Sequence, residues 1–458
     1  MYLLTCQHVH VIVGDMSDHT PSYLQGRLAP VPDEIDAVDL PVSGALPAEL
    51  SGRYFRNGPN PRPGEDPGHW FTGHGMLHGV RLRDGRAELY RNRWVRTYEG
   101  KPFREDGSRD LTVGSANTSV IEHSGKIFAL VESSFPYEVM PGMRTVGPCD
   151  FGGRLTTAMT AHPKEDPVTG ELHFFGYAVT PPFLTYHRLS ADGQLIASFP
   201  VEVGGPTMMH DFAITENHVI WLDLPVVFDP KLFGRGIPFG WNDDYPPRIG
   251  VMAKDGGPVQ WFEVSPSYVF HVGNAREDAQ GRVVLDAVRY SRDAFTSTWD
   301  TMYGAPGITG GAIVSNAVLY RWTLDTVSGR VGEQQLDDQH IEFPTVDDRV
   351  VGRPNRYLYA VDEHAIVKYD NVSGAVHRHE LSADWHTGEA VFVPAEEGAA
   401  EDDGWLLSIV TNSDPTVPSQ LLVHDATDVA AKPVAAVQLP RRVPAGFHGS
   451  WIPDDQLD

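Results

Sequence analysis

Residues 206–225 read PTMMHDFAITENHVIWLDLP, and the prediction of both fold and function starts from this stretch. His210 follows two methionines and precedes an Asp-Phe pair, where a strand is expected, and a polar turn at residues 216–218 leads into a second apolar run. A buried imidazole costs free energy unless both ring nitrogens find partners. A metal ion on one nitrogen and an acceptor on the other would satisfy it. A core histidine bonded to backbone is the alternative.

Short apolar runs separated by turn sequences fill most of the chain, and helical periodicity is scarce. Strand-like segments such as KIFALV and WLLSIV flank turns at residues 123–126, 166–170, 191–193, 254–257, 279–281, 327–329, 371–374 and 402–404. Hairpins without intervening helices predict an all-β fold. So many hairpins favour radial repetition, because a β-propeller protects its strand edges. No fixed-period repeat of the WD40 kind is visible.

Three Pro/Gly-rich stretches interrupt this pattern, at residues 57–68, 225–250 and 303–311. Long connections of this kind are usually functional. The most apolar segment, residues 228–241, could line a substrate entrance or cap the core. No linker divides the chain, so we expect one domain over residues 21–458, preceded by an N-terminal tail at residues 1–20.

Composition excludes several classes of protein. The chain has 458 residues, 41% hydrophobic and 21% charged, which indicates a globular protein. Its net charge of −25 argues against nucleic acid as a partner and against electrostatic binding to anionic lipid, although an apolar loop could still touch a membrane surface. Two cysteines rule out a disulfide framework or a Cys-rich metal site, so a metal would be held by imidazole and carboxylate.

The first residues, MYLLTCQHVHVIV, are apolar but lack a basic n-region and a small-residue cleavage site. We therefore expect neither a signal peptide nor a membrane span, and interpret this segment as a start-site artefact or a loose tail. A cytoplasmic protein, which could associate peripherally with a membrane, is the expected localisation.

Three further histidines share the setting of His210: His162, where a strand runs into a hairpin, His271, at the end of an apolar run, and His448, between glycines near the C-terminus. Because every propeller blade sends one inner strand to a common axis, four such imidazoles could meet there. Four unrelated buried histidines are the alternative. Glutamates at the edges of apolar runs need partners, and imidazole N–H groups would serve; these are Glu132, Glu342 and Glu389.

Other histidines are interpreted as structural. His69, His74 and His78 lie in HWFTGHGMLHG, which contains three glycines and lacks the helical HExxH arrangement of a zinc protease. Five more in polar surroundings are expected at the surface: His364, His377, His379, His386 and His424.

Seven motifs, in order, resemble the carotenoid cleavage oxygenases, in particular actinobacterial members. They are PAELSGRYFRNGPNP, GHGMLHGVRL, AHPKEDPVTGEL, MMHDFAIT, EFPTVDDRVVGRPNRY, EDDGWLLSIV and GFHGSW. The resemblance covers nearly the whole chain and implies a seven-bladed β-propeller with a dome of loops and short helices over the metal-bearing face.

The resemblance also implies one non-haem Fe²⁺ per chain, held by His162, His210, His271 and His448. It further implies that Glu132 orients His210, that Glu342 orients His271, and that Glu389 orients His448, leaving His162 without a carboxylate partner. Four neutral imidazoles would leave two octahedral positions open for O₂ beside an alkene, whereas a structural zinc site is more often closed.

The implied activity is that of a dioxygenase, which cleaves a conjugated C=C bond of a carotenoid or apocarotenoid with O₂ into two carbonyl products. The partners are then a hydrophobic polyene and O₂, with no obligate protein partner. A dry tunnel would hold the polyene, and its expected lining residues are Phe135, Phe228, Phe270 and Trp322.

Three alternatives to this carotenoid-cleaving activity remain. Stilbene-cleaving relatives resemble this chain in the same motifs but use a lysine just before the glutamate; here Val131 occupies that position, which favours an apolar polyene. A non-enzymatic metal-binding propeller and an isomerohydrolase acting on esters are the others. Many relatives carry an acidic residue at the position of His74.

Overall fold

Seven sheets of four or more strands form the blades of a β-propeller in the computed structural model. The structure describes residues 20–105, 108–232, 236–304 and 316–457. The predicted tail therefore lies almost entirely outside the described residues, as does most of the stretch at 303–311. The eight turns named above each connect two consecutive strands, which confirms the hairpin prediction.

The first blade joins the two ends of the described chain. Its strands are, from the outer edge inward, β1 (Asp36–Val38), β5 (Arg86–Trp94), β4 (Gly75–Arg83), β3 (Gly52–Pro59) and β33 (Gly449–Pro453). Strand β33 pairs antiparallel with β3, from Gly52 opposite Pro453 to Arg56 opposite Gly449. This pairing closes the ring of blades and covers an edge that would otherwise be open.

The second, third and fourth blades follow in chain order. Blade two contains β6 (Ser119–His123), β7 (Lys126–Leu130), β8 (Tyr137–Val139) and β9 (Thr145–Pro148); blade three contains β10 (Lys164–Glu165), β11 (Leu172–Tyr177), β12 (Leu184–Leu189) and β13 (Leu195–Val201); blade four contains β14 (Ala213–Ile214), β15 (His218–Asp223), β18 (Arg248–Ala253) and β19 (Gln260–Glu263). A separate hairpin rises from blade four, formed by β16 (Val226–Phe228) and β17 (Phe239–Trp241).

The remaining blades complete the circle. Blade five contains β20 (Tyr268–Glu277), β21 (Val283–Tyr290), β22 (Val318–Leu324) and β23 (Val331–His340); blade six contains β24 (Glu342–Thr345), β25 (Tyr357–Val361), β26 (Ala365–Asp370) and β27 (Val376–Glu380); blade seven contains β28 (Trp385–His386), β29 (Val391–Pro394), β30 (Gly404–Asn412), β31 (Gln420–Asp425), β32 (Ala435–Gln438) and the N-terminal β2 (Val42–Gly44).

Helical structure is confined to short connections in the described part of the chain. One α-helix, α1 (Arg292–Met302), begins at Ser291, whose side chain accepts a hydrogen bond from the Ala294 amide. The described residues also form six 3₁₀ turns: Ser22–Leu24, Gly26–Leu28, Trp70–Thr72, Pro230–Leu232, Asp348–Val350 and Asp454–Gln456. Among the described residues, no helix combines the length and the apolar character needed to cross a bilayer.

Irregular pairing marks the inner strands near the propeller axis. The β20–β21 ladder shifts register between Val269 and Val272, around His271, and the β24–β25 ladder shifts between Glu342 and Thr345. A β-bulge re-aims side chains that regular pleating would send elsewhere. Both irregularities therefore help to direct inner-strand side chains towards the axis.

Candidate metal centre and cavity

Four imidazoles from four blades converge near the axis. His162 precedes β10, His210 precedes β14, His271 lies in the bulge of β20, and His448 directly precedes β33. All but His271 are less than one-tenth exposed. The ring centroid of His162 lies 4.6 Å from that of His210, 5.1 Å from that of His271 and 4.6 Å from that of His448.

The ring nitrogens, as well as the ring centres, lie close enough to share an ion. One ring nitrogen from each of His162, His271 and His448 lies within 4.8 Å of the other two. His162 Nε2 and His210 Nε2 are 3.0 Å apart. Two adjacent ligands of an octahedral ion with bonds of about 2.1 Å would be separated by about 3.0 Å. The spacing therefore suits two nitrogens bound to one ion.

Carboxylates fix the orientation of three rings. His210 Nδ1 lies 2.7 Å from Glu132 Oε2, His271 Nδ1 lies 2.6 Å from Glu342 Oε2, and His448 Nδ1 lies 2.9 Å from Glu389 Oε1. A carboxylate only accepts hydrogen bonds, so each Nδ1 carries the proton and each Nε2 presents a lone pair. Outer carboxylates of this kind orient metal-binding histidines. The donor set therefore fits a divalent transition metal.

Burial and charge set the protonation of the rings. Burial lowers the pKa of His162 well below its ordinary value, and the neighbouring His448, His210 and His271 lower it further. Burial opposes protonation of His210, but the carboxylate of Glu132 more than offsets this and raises the pKa of the imidazole. His162, which has no carboxylate among its hydrogen-bond partners, is therefore kept neutral and can act as a ligand.

Two tyrosines and an aspartate, which sequence reasoning missed, support this centre. The Tyr177 hydroxyl donates to Glu132 Oε1 at 2.7 Å, and the Tyr290 hydroxyl donates to Glu342. Asp211 accepts from the backbone N–H of Val272 at 2.8 Å, and so ties the loop after His210 to the strand that carries His271. No local sequence signal separates these residues from ordinary core residues, since their partners lie far away in the chain.

Phe343 has an uncommon backbone conformation beside the centre. Its φ is +50°, and its ring stacks on His271 with centroids 5.2 Å apart. Its N–H donates to Glu342 Oε2 at 2.6 Å. A left-handed backbone at a bulky residue is a strained feature of the kind that clusters at functional sites. This backbone conformation turns the peptide so that the Glu342 carboxylate accepts hydrogen bonds from both the Phe343 amide and the His271 imidazole.

A largely apolar cavity of about 450 Å³ opens above the centre. Its lining includes His210, His271 and His448, together with the predicted Phe228 and Phe270. Other apolar lining residues come from the 3₁₀ turn at Trp70–Thr72, the β16–β17 hairpin, α1 and the C-terminal loop: Trp70, Phe71, Phe239, Met302 and Phe447. A pocket of this size and character suits a hydrophobic ligand.

Two of the predicted lining residues lie elsewhere. Trp322 is 1% exposed and packs in an apolar cluster that includes strands of blades four, five and six, and Phe135 packs beside the apolar cluster between blades two and three. Neither lines the cavity, which corrects their expected place in the tunnel. Sequence periodicity shows that such residues are buried, but it does not distinguish an inter-blade contact from a cavity wall.

Among the described residues, His69, His74 and His78 do not come together as a metal cluster. His69 is fully buried and accepts a hydrogen bond from the Phe71 amide, His74 pairs with Glu65, and His78 contacts the Tyr90 hydroxyl at 2.8 Å. The expectation that His386 and His424 lie at the surface is wrong, since they are 8% and 0% exposed. Both lie in strands of blade seven, whose regular alternation turns their side chains inward.

Comparison with known proteins identifies the family. Residues 28–453 match the family model described as retinal pigment epithelial membrane protein. The carotenoid cleavage oxygenase of Mycobacterium tuberculosis is 38% identical over 94% of this chain and 97% of its own length, and the carotenoid 9,10(9′,10′)-cleavage dioxygenase of Crocus sativus is 36% identical over 95% and 90%.

Solved structures give the same result. The lignostilbene dioxygenase of Pseudomonas brassicacearum superposes with a TM-score of 0.83 at 28% identity, covering 95% of this chain and 100% of its own. Cobalt-substituted ACO from Synechocystis gives 0.80 at 29% identity, covering 93% and 97%. From its sequence, its seven blades and its converging histidines, the chain belongs to the carotenoid cleavage oxygenase family and is an enzyme of the dioxygenase class.

Proposed function

We propose that this enzyme cleaves one conjugated C=C bond of a carotenoid or apocarotenoid with O₂, giving two aldehyde or ketone products. One Fe²⁺ per chain would be held by His162, His210, His271 and His448. The observation that carries the proposal is the set of three carboxylate-bound imidazoles, turned towards one point at the floor of an apolar cavity. When bound, iron would supply the redox chemistry between O₂ and the alkene.

The charge of the donor set supports an iron centre of this kind. Neutral imidazoles would leave the full charge of the ion in place, and Glu132, Glu342 and Glu389 would balance that charge without binding the ion themselves. An ion held by the four imidazoles alone would still be able to bind O₂ and supply the redox chemistry. Because affinity alone does not favour Fe²⁺ over copper or nickel, geometry and metal supply must select the ion.

The cavity walls hold the substrate and keep water away. Phe228, Phe239 and Phe270 offer aromatic faces to a flat polyene, and Phe447 lies one residue before His448. A hydrocarbon chain gains about 25 cal/mol for each Å² removed from water, so a long polyene binds well without hydrogen bonds. The protein's part in the reaction is to place one double bond beside the histidine centre.

A stilbene is the alternative substrate, because the fold superposes closely on a lignostilbene dioxygenase. At the position that carries a lysine in stilbene-cleaving relatives, the cavity offers a phenol no hydrogen-bonding side chain. Val131 lines the cavity and cannot donate or accept a hydrogen bond through its side chain. The hydroxyls of Tyr177 and Tyr290 already donate to Glu132 and Glu342. These features favour the apolar polyene.

The test is product analysis with three substrates: a C40 carotenoid, an apocarotenal and resveratrol. The iron-loaded protein is incubated with each under ¹⁸O₂, and the products are identified by mass spectrometry. We expect paired carbonyl fragments from a polyene and none from resveratrol. Cleavage of resveratrol alone would replace the proposal with the stilbene alternative. Equal product from protein stripped of metal would refute the role of iron.

Membrane contact and domain organisation extend the same proposal. We propose that residues 21–458 act as one propeller domain, because the first blade joins segments from both ends of the described chain.

Phe103, 40% exposed, and Val179, 38% exposed, line the cavity. They could bring the opening against an apolar surface that stores the polyene. Sedimentation with vesicles made from neutral lipids would test this contact.

A further inference from the structure

A second group of side chains that could hold a metal ion lies where blade six meets blade seven. Glu363 and His364 form the turn between β25 and β26, and His386 ends β28. One potential ligand atom from each of the three lies within 4.8 Å of the other two. None of them belongs to the four-histidine centre, and the proposed cleavage reaction does not use them.

Hydrogen bonding fixes the tautomer of His364. Its Nδ1 lies 2.7 Å from the carbonyl oxygen of Trp385, which can only accept. Nδ1 therefore carries the proton of the neutral ring, and Nε2 presents a lone pair. That Nε2 lies 3.9 Å from Glu363 Oε2, so a lone pair faces a carboxylate. Two acceptors facing each other repel unless a cation lies between them.

His386 presents a second nitrogen to the same carboxylate. Its Nε2 bonds to the Ser413 hydroxyl at 2.7 Å. Its Nδ1 lies 3.2 Å from Glu363 Oε1, yet it is buried and makes no hydrogen bond among the described residues. The side chain is only 8% exposed. A buried nitrogen that approaches a carboxylate without a hydrogen bond needs another explanation, and a bound ion supplies it.

The distances agree with tetrahedral coordination. Ligands about 2.1 Å from a tetrahedral ion are separated from one another by about 3.4 Å. The separation of 3.2 Å between His386 Nδ1 and Glu363 Oε1 is close to this value, and His364 Nε2 lies 3.9 Å from the other carboxylate oxygen, Oε2. Glu363 and His386 also border a cavity of about 40 Å³, which is room enough for water to complete the coordination.

The neighbouring Arg27 weakens this site for a cation. Its Nη2 lies 3.5 Å from Glu363 Oε1 and neutralises part of the charge of that carboxylate. An ion here would therefore bind less tightly than in a structural site with four protein ligands.

We propose that Glu363, His364 and His386 bind one divalent ion of the zinc class, separate from the four-histidine centre. Two imidazole nitrogens and one carboxylate oxygen suit Zn²⁺ and disfavour the hard ions Mg²⁺ and Ca²⁺. The ion connects the turn of blade six to the first strand of blade seven.

Zinc counting on the full chain tests this proposal. Fe²⁺ is first loaded anaerobically, the protein is dialysed against Zn²⁺, and both metals are measured by elemental analysis. We expect the native protein to bind one zinc more per chain than His386→Gln or His364→Gln, with equal iron in all three. His377→Gln, which changes an exposed histidine of β27, serves as the control and should bind as much zinc as the native protein.

Two results would overturn the proposal. One is equal zinc in the native protein and both variants; the other is loss of iron together with zinc, which would mean that the two centres are not separate. His364 is about one-third exposed, so His364→Gln remains informative should the buried His386→Gln fail to fold. Because no polyene is used, a negative result in the cleavage assay leaves this test unaffected.

Discussion

Glutamine substitution of the carboxylates should damage the histidine centre unequally, with Glu389→Gln more harmful than Glu342→Gln. Glu342 and Glu389 are matched, since each side chain is 8% exposed and each contacts one histidine Nδ1. Either substitution removes one negative charge. A difference between the two variants therefore reports the hydrogen bonds that each carboxylate accepts.

Glu342 can be replaced by glutamine without a conflict. Its Oε2 accepts from both His271 Nδ1 and the Phe343 amide, while its Oε1 accepts from the Tyr290 hydroxyl. A glutamine whose side-chain oxygen faces His271 and Phe343 would turn its NH₂ towards Tyr290. The tyrosine hydroxyl can rotate and accept that hydrogen bond.

Glutamine cannot replace Glu389 without such a conflict. Oε1 accepts from His448 Nδ1 at 2.9 Å, and Oε2 accepts from the Gly449 amide at 2.6 Å. An NH₂ facing Gly449 would bring two donors together. An NH₂ facing His448 would force the ring proton onto Nε2 and remove the lone pair from the metal centre.

The expected losses of metal affinity and activity in the two variants follow from these contacts. A hydrogen bond to a charged group contributes about 1.5–3 kcal/mol, and losing the partner of a metal-binding histidine costs about 10–100-fold in metal affinity or activity. We expect that full loss for Glu389→Gln and a loss below about 10-fold for Glu342→Gln. Competition with an iron chelator gives the affinities, and kcat/KM gives the activity. An equal or larger loss for Glu342→Gln would refute the reasoning.

Three further substitutions test other parts of the account. His271→Ala should abolish cleavage while leaving the circular dichroism spectrum unchanged. The control His218→Ala breaks a comparable histidine–glutamate pair outside the cavity and should keep near-normal turnover. Turnover by His271→Ala would contradict the ligand assignment. Asp211→Asn should lower the stability measured in urea by about 3 kcal/mol, because it removes the charge of the carboxylate that pairs with Lys164 at 2.8 Å. An unchanged urea midpoint would contradict this expectation. His187 is buried, and burial lowers its pKa to about 4, below the value of about 6.5 in the unfolded chain. Its contribution of up to about 3 kcal/mol to the free energy of unfolding is therefore present above pH 6.5 and is lost as the pH falls towards 4. His187→Gln should flatten the fall in stability over that window, and an unaltered pH profile would contradict this.

The hairpins of the propeller were predictable because turn chemistry is local. Glycines such as Gly170, Gly281 and Gly374 take φ values of +67°, +74° and +75°, which other residues rarely adopt. The closure of the ring was not predictable from local sequence. The pairing of β33 with β3 joins segments almost 400 residues apart, and no local signal in either strand specifies it.

The metal centre was predictable only in part. Spacing suggested that four histidines could meet on an axis, and the family resemblance supplied the pairing with the glutamates. Tyr177 and Asp211 were missed because their importance lies in contacts with distant residues. Trp322 was misplaced because a buried aromatic gives the same sequence signal between blades as beside a cavity.

The centre itself can be tested most directly by iron K-edge X-ray absorption on the protein reconstituted with one Fe²⁺ per chain. The account predicts multiple scattering from four imidazole rings in the first shell, with one ring lost in the spectrum of His162→Ala if that variant still binds iron. A spectrum with two or fewer imidazoles, or one that is unchanged by substitution of any of the four histidines, would contradict it.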